Sequence, residues 1–445
     1  MVRSGRDALG EDATLRRILR NTGWLTGSSG VNILLATAQG VLTARLLGIV
    51  TWGVLAVALG FVSVVGQLLS FRMNNFVVKW VTQLTEQEQG LAPTAFKLAI
   101  AGDVGTAILS FIIVEAAAGW GAVVFAKSPD LVWVFRIVAF NALLQAGRDS
   151  FTGMLQVNRD FRVQGIVQVA CQAASTTGVA VVFVAGGGIA GVVFVIVGVQ
   201  ALSAVLYGVY GLRAARSVLG AGWIRSPVRH LGEIGRDMMH FAIMVNISAT
   251  LRTTMNDGDL LILGLLTSPT QVAYYKLAKS ICQISALPMM PMVNASFPEF
   301  SIAAARRDWG GFRRLMRRGE RVAALWVIPV SLGLAAVSPF AIRLLYGSSF
   351  VPAATALAVL LVGLCIDGIL FWTGAASLSI GEHGYVTRVN LTATLAKLAL
   401  AFVLVPTGGY VMLASLQSLN VMGSNLFIAR RVFARIRLNE SSTTD

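Results

Sequence analysis

The stretch "LRTTMNDGDLLILGLL" (251–266) decides how the rest of this chain is read. It lies inside a long apolar segment, yet it carries Arg252, Asp257 and Asp259. Either the segment stays out of a membrane, or its charges are kept away from lipid. The surrounding composition selects the second answer. The chain has 445 residues, 56% of them hydrophobic and only 13% charged, with a mean hydropathy of +0.72. An ordinary soluble domain carries about 25% charged residues. Apolar runs of about 20 residues, the length that crosses a hydrocarbon core, recur along the whole sequence. The composition is that of an all-α polytopic membrane protein.

Outward from this stretch, twelve spans are expected, at 18–46, 51–70, 95–119, 131–156, 161–184, 189–211, 240–266, 272–298, 322–345, 354–380, 386–406 and 410–433. The net charge of +15 does not point to nucleic acid, because the basic residues sit in alternate connections. One set holds "RRILR" (16–20), Arg148, Arg159, Arg162, five Arg in 213–236, seven in "RRDWGGFRRLMRRGER" (306–321) and four in "RRVFARIR" (430–437). The other set holds Arg45, Lys127, Lys276, Lys279 and Arg343. By the positive-inside rule, both termini are cytoplasmic. The first apolar run exceeds a signal-peptide core, so it reads as an uncleaved first helix.

Six spans precede the connection 213–239 and six follow it. The expected organisation is a six-helix lobe at 1–212, a cytoplasmic linker at 213–239, a second lobe at 240–437 and a polar tail at 438–445. The halves echo each other: "ARLLGIVTWGVLAVAL" (44–59) and "LGLLTSPTQVAYYKLA" (263–278) each pass from a Leu-Leu exit through a short turn into another apolar helix. Segment 299–321 reads as a basic amphipathic helix lying on anionic headgroups.

Little in the sequence supports catalysis. His230, His240 and His383 have no second ligand at metal spacing, and no phosphate-binding glycine loop occurs. "GWLTG" (23–27) and "GGIAG" (187–191) fit helix packing. Cys171, Cys282 and Cys365 read as small packing residues, with no metal site. What remains is a set of charges inside the spans: Asp103, Glu115, Arg136, Arg252, Asp257, Asp259, Asp367 and Lys397. Each costs about 2.5–3.5 kcal/mol at mid-membrane even on a lenient scale, so the set must pair internally or face a polar cavity. Internal pairing, for example Lys397 with Asp367, is one reading. The other is a mixed-charge lumen in which Arg252, Lys397 and Arg136 face an anionic substrate, and Asp257, Asp259, Asp367, Asp103 and Glu115 contact sugar hydroxyls or a coupling cation. In "SFRMNNFVVKW" (70–80), Arg72 and Lys79 are two helical turns apart and share a face. They either snorkel to headgroups or form a cationic mouth.

Several stretches resemble one family, the O-antigen type polysaccharide flippases of the multidrug/oligosaccharidyl-lipid/polysaccharide (MOP) exporter superfamily. "NTGWLTGSSGVNILLATAQGVLTARLLGIVTWGVLAVAL" (21–59) resembles the family's opening helix and its Ala-Arg-Leu-Leu-Gly exit. "GDLLILGLLTSPTQVAYYKLAKSI" (258–281) is similar to its seventh helix, with Asp259 at the Asp position and a Tyr after the turn. "SFPEFSIAAARRDWGGFRRLMRRGERVAALWVIP" (296–329), "LLYGSSFVPAATAL" (344–357), "LSIGEHGYVTRVN" (378–390) and "VLVPTGGYVMLA" (403–414) follow in the family's order. The chain departs from the pattern at Arg72 and at "IVTW" (49–52). The resemblance implies a V-shaped bundle of two six-helix lobes in the bacterial inner membrane. It implies translocation of a polyprenyl-pyrophosphate-linked oligosaccharide by alternating access, without enzymatic chemistry and without a cofactor beyond a coupling proton or sodium ion. Membrane lipids and glycan polymerase or export machinery are the implied partners. A cation-coupled small-molecule antiporter of the same fold is the alternative.

Overall fold

The computed structural model describes residues 3–87, 90–227, 235–240, 242–243, 258–286 and 290–444. These residues are almost entirely helical. Helix α1 (Arg3–Leu69) breaks at Gly48, where φ is 69°. A continuous helical segment, α2 (73–86), contains a π turn at Val77–Val81. Then come α3 (Ala92–Val124), α4 (Val132–Leu144), α5 (Arg148–Val157), α6 (Phe161–Val184) and α7 (Ile189–Leu219). After α8 (258–266) follow α9 (Pro269–Ala286), α10 (Met290–Ala305), α11 (Trp309–Leu345), α12 (Ala353–Ile369), α13 (Thr373–Ser379) and α14 (His383–Thr444), the last broken at Gly409.

Eight helical stretches among the described residues are long and apolar enough to cross a membrane. Two of them, Gly27–Glu86 and Gly384–Leu438, hold 60 and 55 residues. At about 1.5 Å per residue either is far longer than one crossing of about 30 Å. The breaks at Gly48 and Gly409 divide them where the sequence places turns, at 47–50 and 407–409. The protein is a multi-pass membrane protein of about twelve helices. Its helices carry large apolar side chains outward, such as Ile112 on α3, Phe194 on α7 and Leu325 on α11, because lipid rather than water is the solvent there.

The chain packs as two compact units. The second comprises Asp259 onward together with Trp52–Val57 and Val124–Lys127, and the first comprises the rest. In the first unit, Phe76, Val77 and Trp80 of α2 pack with Phe96, Met154, Leu155 and Tyr207. The described part of the 213–239 connection is docked on this unit. Trp223 is buried against Phe96, with ring centroids 5.3 Å apart, and Lys97 Nζ donates to the carbonyls of Ile224 (2.9 Å) and Ser226 (2.5 Å). It is therefore more than a linker.

In the second unit, the basic segment differs from its expected form. Helix α10 ends at Ala305, the chain turns with Arg307 at φ 55°, and α11 runs unbroken from Trp309 to Leu345. The seven arginines thus straddle the turn and the first turns of a long spanning helix, not a separate helix lying on headgroups. Asp308 starts α11 by accepting from the Gly311 amide at 2.7 Å, as an N-cap does. Trp309, Phe312 and Met316 fix this end by burial against Phe300, Trp372 and Val432. Glu382 receives both Arg431 (3.2 Å) and Arg435 (3.5 Å), and Arg313 pairs with Glu440.

Candidate functional site: a buried charge centre

Asp259, on α8, is 1% exposed. One carboxylate oxygen accepts from Lys397 Nζ at 2.7 Å. The other accepts from the Tyr275 hydroxyl at 2.8 Å, and Lys279 Nζ lies 3.9 Å from it. Lys397 Nζ also donates to Gln417 Oε1 at 2.9 Å. Local structure explains the convergence. Tyr275 and Lys279 are one turn apart on α9 and share a face. Lys397 and Gln417 lie on opposite sides of the Gly409 break in α14, so the reversal there brings both to one place. Carboxylate and ammonium sit among apolar helices, where an ion pair holds only if its geometry is tight and its remaining bonding positions are filled. Tyr275 and Gln417 fill them.

With the carboxylate ionised, α8 is tied to α14 through Lys397. The structure pairs Lys397 with Asp259, not with Asp367, and at 4% exposure Lys397 does not stand open in a lumen. Asp367 of α12 is exposed and accepts instead from Asn425 Nδ2 at 2.8 Å, while Asn425 Oδ1 accepts from the Thr373 hydroxyl at 2.8 Å.

The first unit holds three other charges from the sequence set. Asp103 of α3, 7% exposed, accepts from both the backbone N–H (2.7 Å) and the hydroxyl (2.6 Å) of Ser150. Ser150 is the third residue of α5, so a carboxylate from a neighbouring helix caps the start of α5, where helix N–H groups have no partner of their own. Asp103 thereby has a cap's role and not that of a free lumen carboxylate. Asp103→Leu is expected to destabilise the protein by about 1–2 kcal/mol, the range for a lost cap, while Asp103→Asn retains part of it. Thermal unfolding in detergent checks this; unchanged melting of Asp103→Leu would remove the capping role. Glu115 and Arg136 face each other across α3 and α4 at 3.5 Å, with side chains 37% and 63% exposed, so they form a pair on the outside of the unit.

Arg72 and Lys79 do not lie on one regular helix. The chain leaves α1 at Leu69, Arg72 takes a left-handed conformation (φ 52°) just before α2, and Lys79 sits in the π turn with Nζ 4.8 Å from the Trp80 ring centroid. The two-turn spacing argument therefore lapses. Arg252 and Asp257 lie outside the described residues. Among the described residues no group of three His, Cys, Asp or Glu converges on one point. Sequence reading missed Tyr275 and Gln417. Tyr275 had a usable signal, since it stands one turn from Lys279 beside an intramembrane Asp.

A search of the curated proteins finds no match. Among solved structures, the fold is similar to an inward-facing multidrug resistance MATE family transporter of the MOP superfamily (15% identity, TM-score 0.74, covering 92% of this chain and 96% of that one). It is also similar to the lipid II flippase MurJ in an inward closed conformation (13%, 0.72, 93% and 90%). A third likeness is to a MOP superfamily transporter from Pyrococcus furiosus, described by a binding pocket of reversed polarity (15%, 0.61, 95% and 96%). At these identities the likeness is one of fold. The profile of the polysaccharide biosynthesis protein family matches residues 42–355, and the chain therefore belongs to that family, on a MOP-type fold.

Proposed function

We propose that this protein is a flippase that carries a polyprenyl-pyrophosphate-linked oligosaccharide across the bacterial inner membrane by alternating access, with both termini on the cytoplasmic side. Its family supports the link to glycan assembly, and its fold is the one the lipid II flippase also uses. The observation that carries the reading is the Asp259 centre. A buried carboxylate–ammonium pair among apolar helices is expensive, and such residues ordinarily mark transport pathways and proton relays. The coupling ion this reading calls for, a proton or a sodium ion, would act at Asp259, whose two oxygens are engaged by Lys397 and Tyr275. No covalent step is required, so the protein acts as a transporter and not as an enzyme.

Depletion tests this reading. The lipid-linked oligosaccharide is expected to accumulate facing the cytoplasm while surface glycan disappears. Unchanged glycan assembly would favour a small-molecule antiporter of the same fold.

A further inference from the structure

The first unit carries a half-open polar cavity of about 360 Å³ that none of the intramembrane charges discussed so far lines. Asn32 and Gln39 of α1 face it, seven residues apart. Gln168 and Gln172 of α6 face it, four apart. Gln200 and Tyr207 of α7 face it, seven apart. Each pair therefore occupies one helix face. These faces lie near the middle of α6 and α7. Gln172 donates to Gln39 at 2.7 Å. Gln200 Nε2 and Asn32 Oδ1, a donor and an acceptor, are buried without a hydrogen-bond partner among the described residues.

Arg148 completes the lining. The sequence reading assigned it to a basic connection, but the span Pro129–Val157 is interrupted at 145–147, and Arg148 is the first residue of α5. Gly147 makes the break with φ 74°, a conformation in which an L side chain is strained. Interrupted helices at membrane depth occur where they are buried in protein or line a cavity. The Arg148 guanidinium stands 5.2 Å from the Tyr207 ring centroid and interacts electrostatically with the neighbouring Asp149, without a salt bridge among the described residues.

We propose that this cavity binds a sugar residue carrying one carboxylate, of the uronic-acid type. Side-chain amides present a donor and an acceptor side by side, which matches neighbouring hydroxyls that both give and take hydrogen bonds. Arg148 matches a carboxylate with a planar fork of donors. The volume falls at the lower end of small-molecule sites, about 300–1,000 Å³, which suits one sugar unit and not a whole lipid-linked chain. Lending the cavity a place on a glycan route rests on the flippase reading; binding itself does not.

The test is saturation-transfer NMR on the full chain in detergent, with glucuronate and glucose as probes. Glucuronate is expected to receive saturation strongly and glucose weakly. Gln172→Met/Gln200→Met, which keeps side-chain length but removes the amides, is expected to abolish both signals. Arg148→Gln is expected to weaken glucuronate about tenfold, the loss of one charge-assisted contact, and Arg148→Lys to restore part of it. Melting temperature verifies folding of each variant, and the single glutamine variants serve if the double one fails to fold. No glucuronate signal in the folded wild type, or an equal signal in the glutamine variants, overturns the proposal. Absent binding with intact flipping removes only the cavity assignment, whereas intact binding with failed flipping removes only the transport reading.

Discussion

Lys397→Met is expected to destabilise the protein by roughly 3–5 kcal/mol, the cost of leaving a buried charge without its partner. The Asp259 carboxylate would keep Tyr275 and the more distant Lys279, but lose its 2.7 Å contact. Asp259→Leu is expected to act comparably, because it takes the 2.7 Å counter-charge from Lys397, which is 4% exposed. Removing both charges in Asp259→Leu/Lys397→Met is expected to cost less than the two single losses added together, since no buried charge is left without its partner. Tyr275 and Gln417 then lack a partner, which leaves a residual loss of about 1–3 kcal/mol each at most. Chemical unfolding of the four proteins in detergent gives the coupling directly. Transport separates structure from function: the double variant is expected to fold and not to transport. Full transport by the double variant would show that the pair only holds the helices together.

The second large effect concerns two glycines of the second unit. A Cβ at Gly53 would run into the carbonyl of Pro269, and one at Gly264 would come 2.6 Å from the carbonyl oxygen of Phe125. Neither obstacle is a movable side-chain tip. Backbone must shift, and α8, which carries Asp259, shifts with it. Gly53→Ala and Gly264→Ala are therefore expected to destabilise by about 1–3 kcal/mol, the range for overpacking. Gly66 and Gly198 supply the control, since nothing lies within 4 Å of a Cβ at either and both are inside helices. There the same substitution is expected to stabilise by about 0.5–1 kcal/mol. Opposite signs at the two pairs of sites, read by melting temperature, are the expected result. A stabilising Gly53→Ala would show that the close approach at Pro269 is not obligatory.

The two glycines also show what the repeat in the sequence means physically. The turns in "ARLLGIVTWGVLAVAL" and "LGLLTSPTQVAYYKLA" were comparable only as patterns of apolar and small residues. In the structure Gly53 of the first stretch lies against Pro269 of the second, and Lys276 Nζ stands 5.4 Å from the Trp52 ring centroid.

Helix positions were legible because a membrane span needs a fixed length of apolar chain, and breaks at Gly48 and Gly409 fall at short polar or glycine turns. The intramembrane charges were legible as a set, since each stands out against its apolar neighbours. Their partners were not. Lys397 lies 30 residues from Asp367 in sequence and 138 from Asp259, yet packing selects Asp259. Asp103 could not be read as a cap, because the helix it caps begins at a break inside what looks like one continuous span. The amide cavity escaped for a different reason: Gln39, Gln172 and Gln200 carry no charge, so a census of ionisable residues passes over them. Their spacing on helix faces was nevertheless present in the sequence.

The central claim is that this protein moves a lipid-linked oligosaccharide between leaflets. Reconstitution of the purified chain into vesicles loaded with polyprenyl-pyrophosphate oligosaccharide tests it most directly, with a lectin or glycosidase outside to count outward-facing glycan. The account predicts that glycan exposure rises with time in vesicles holding the protein, and not in empty vesicles or with Asp259→Leu/Lys397→Met. Equal exposure in all three would contradict it.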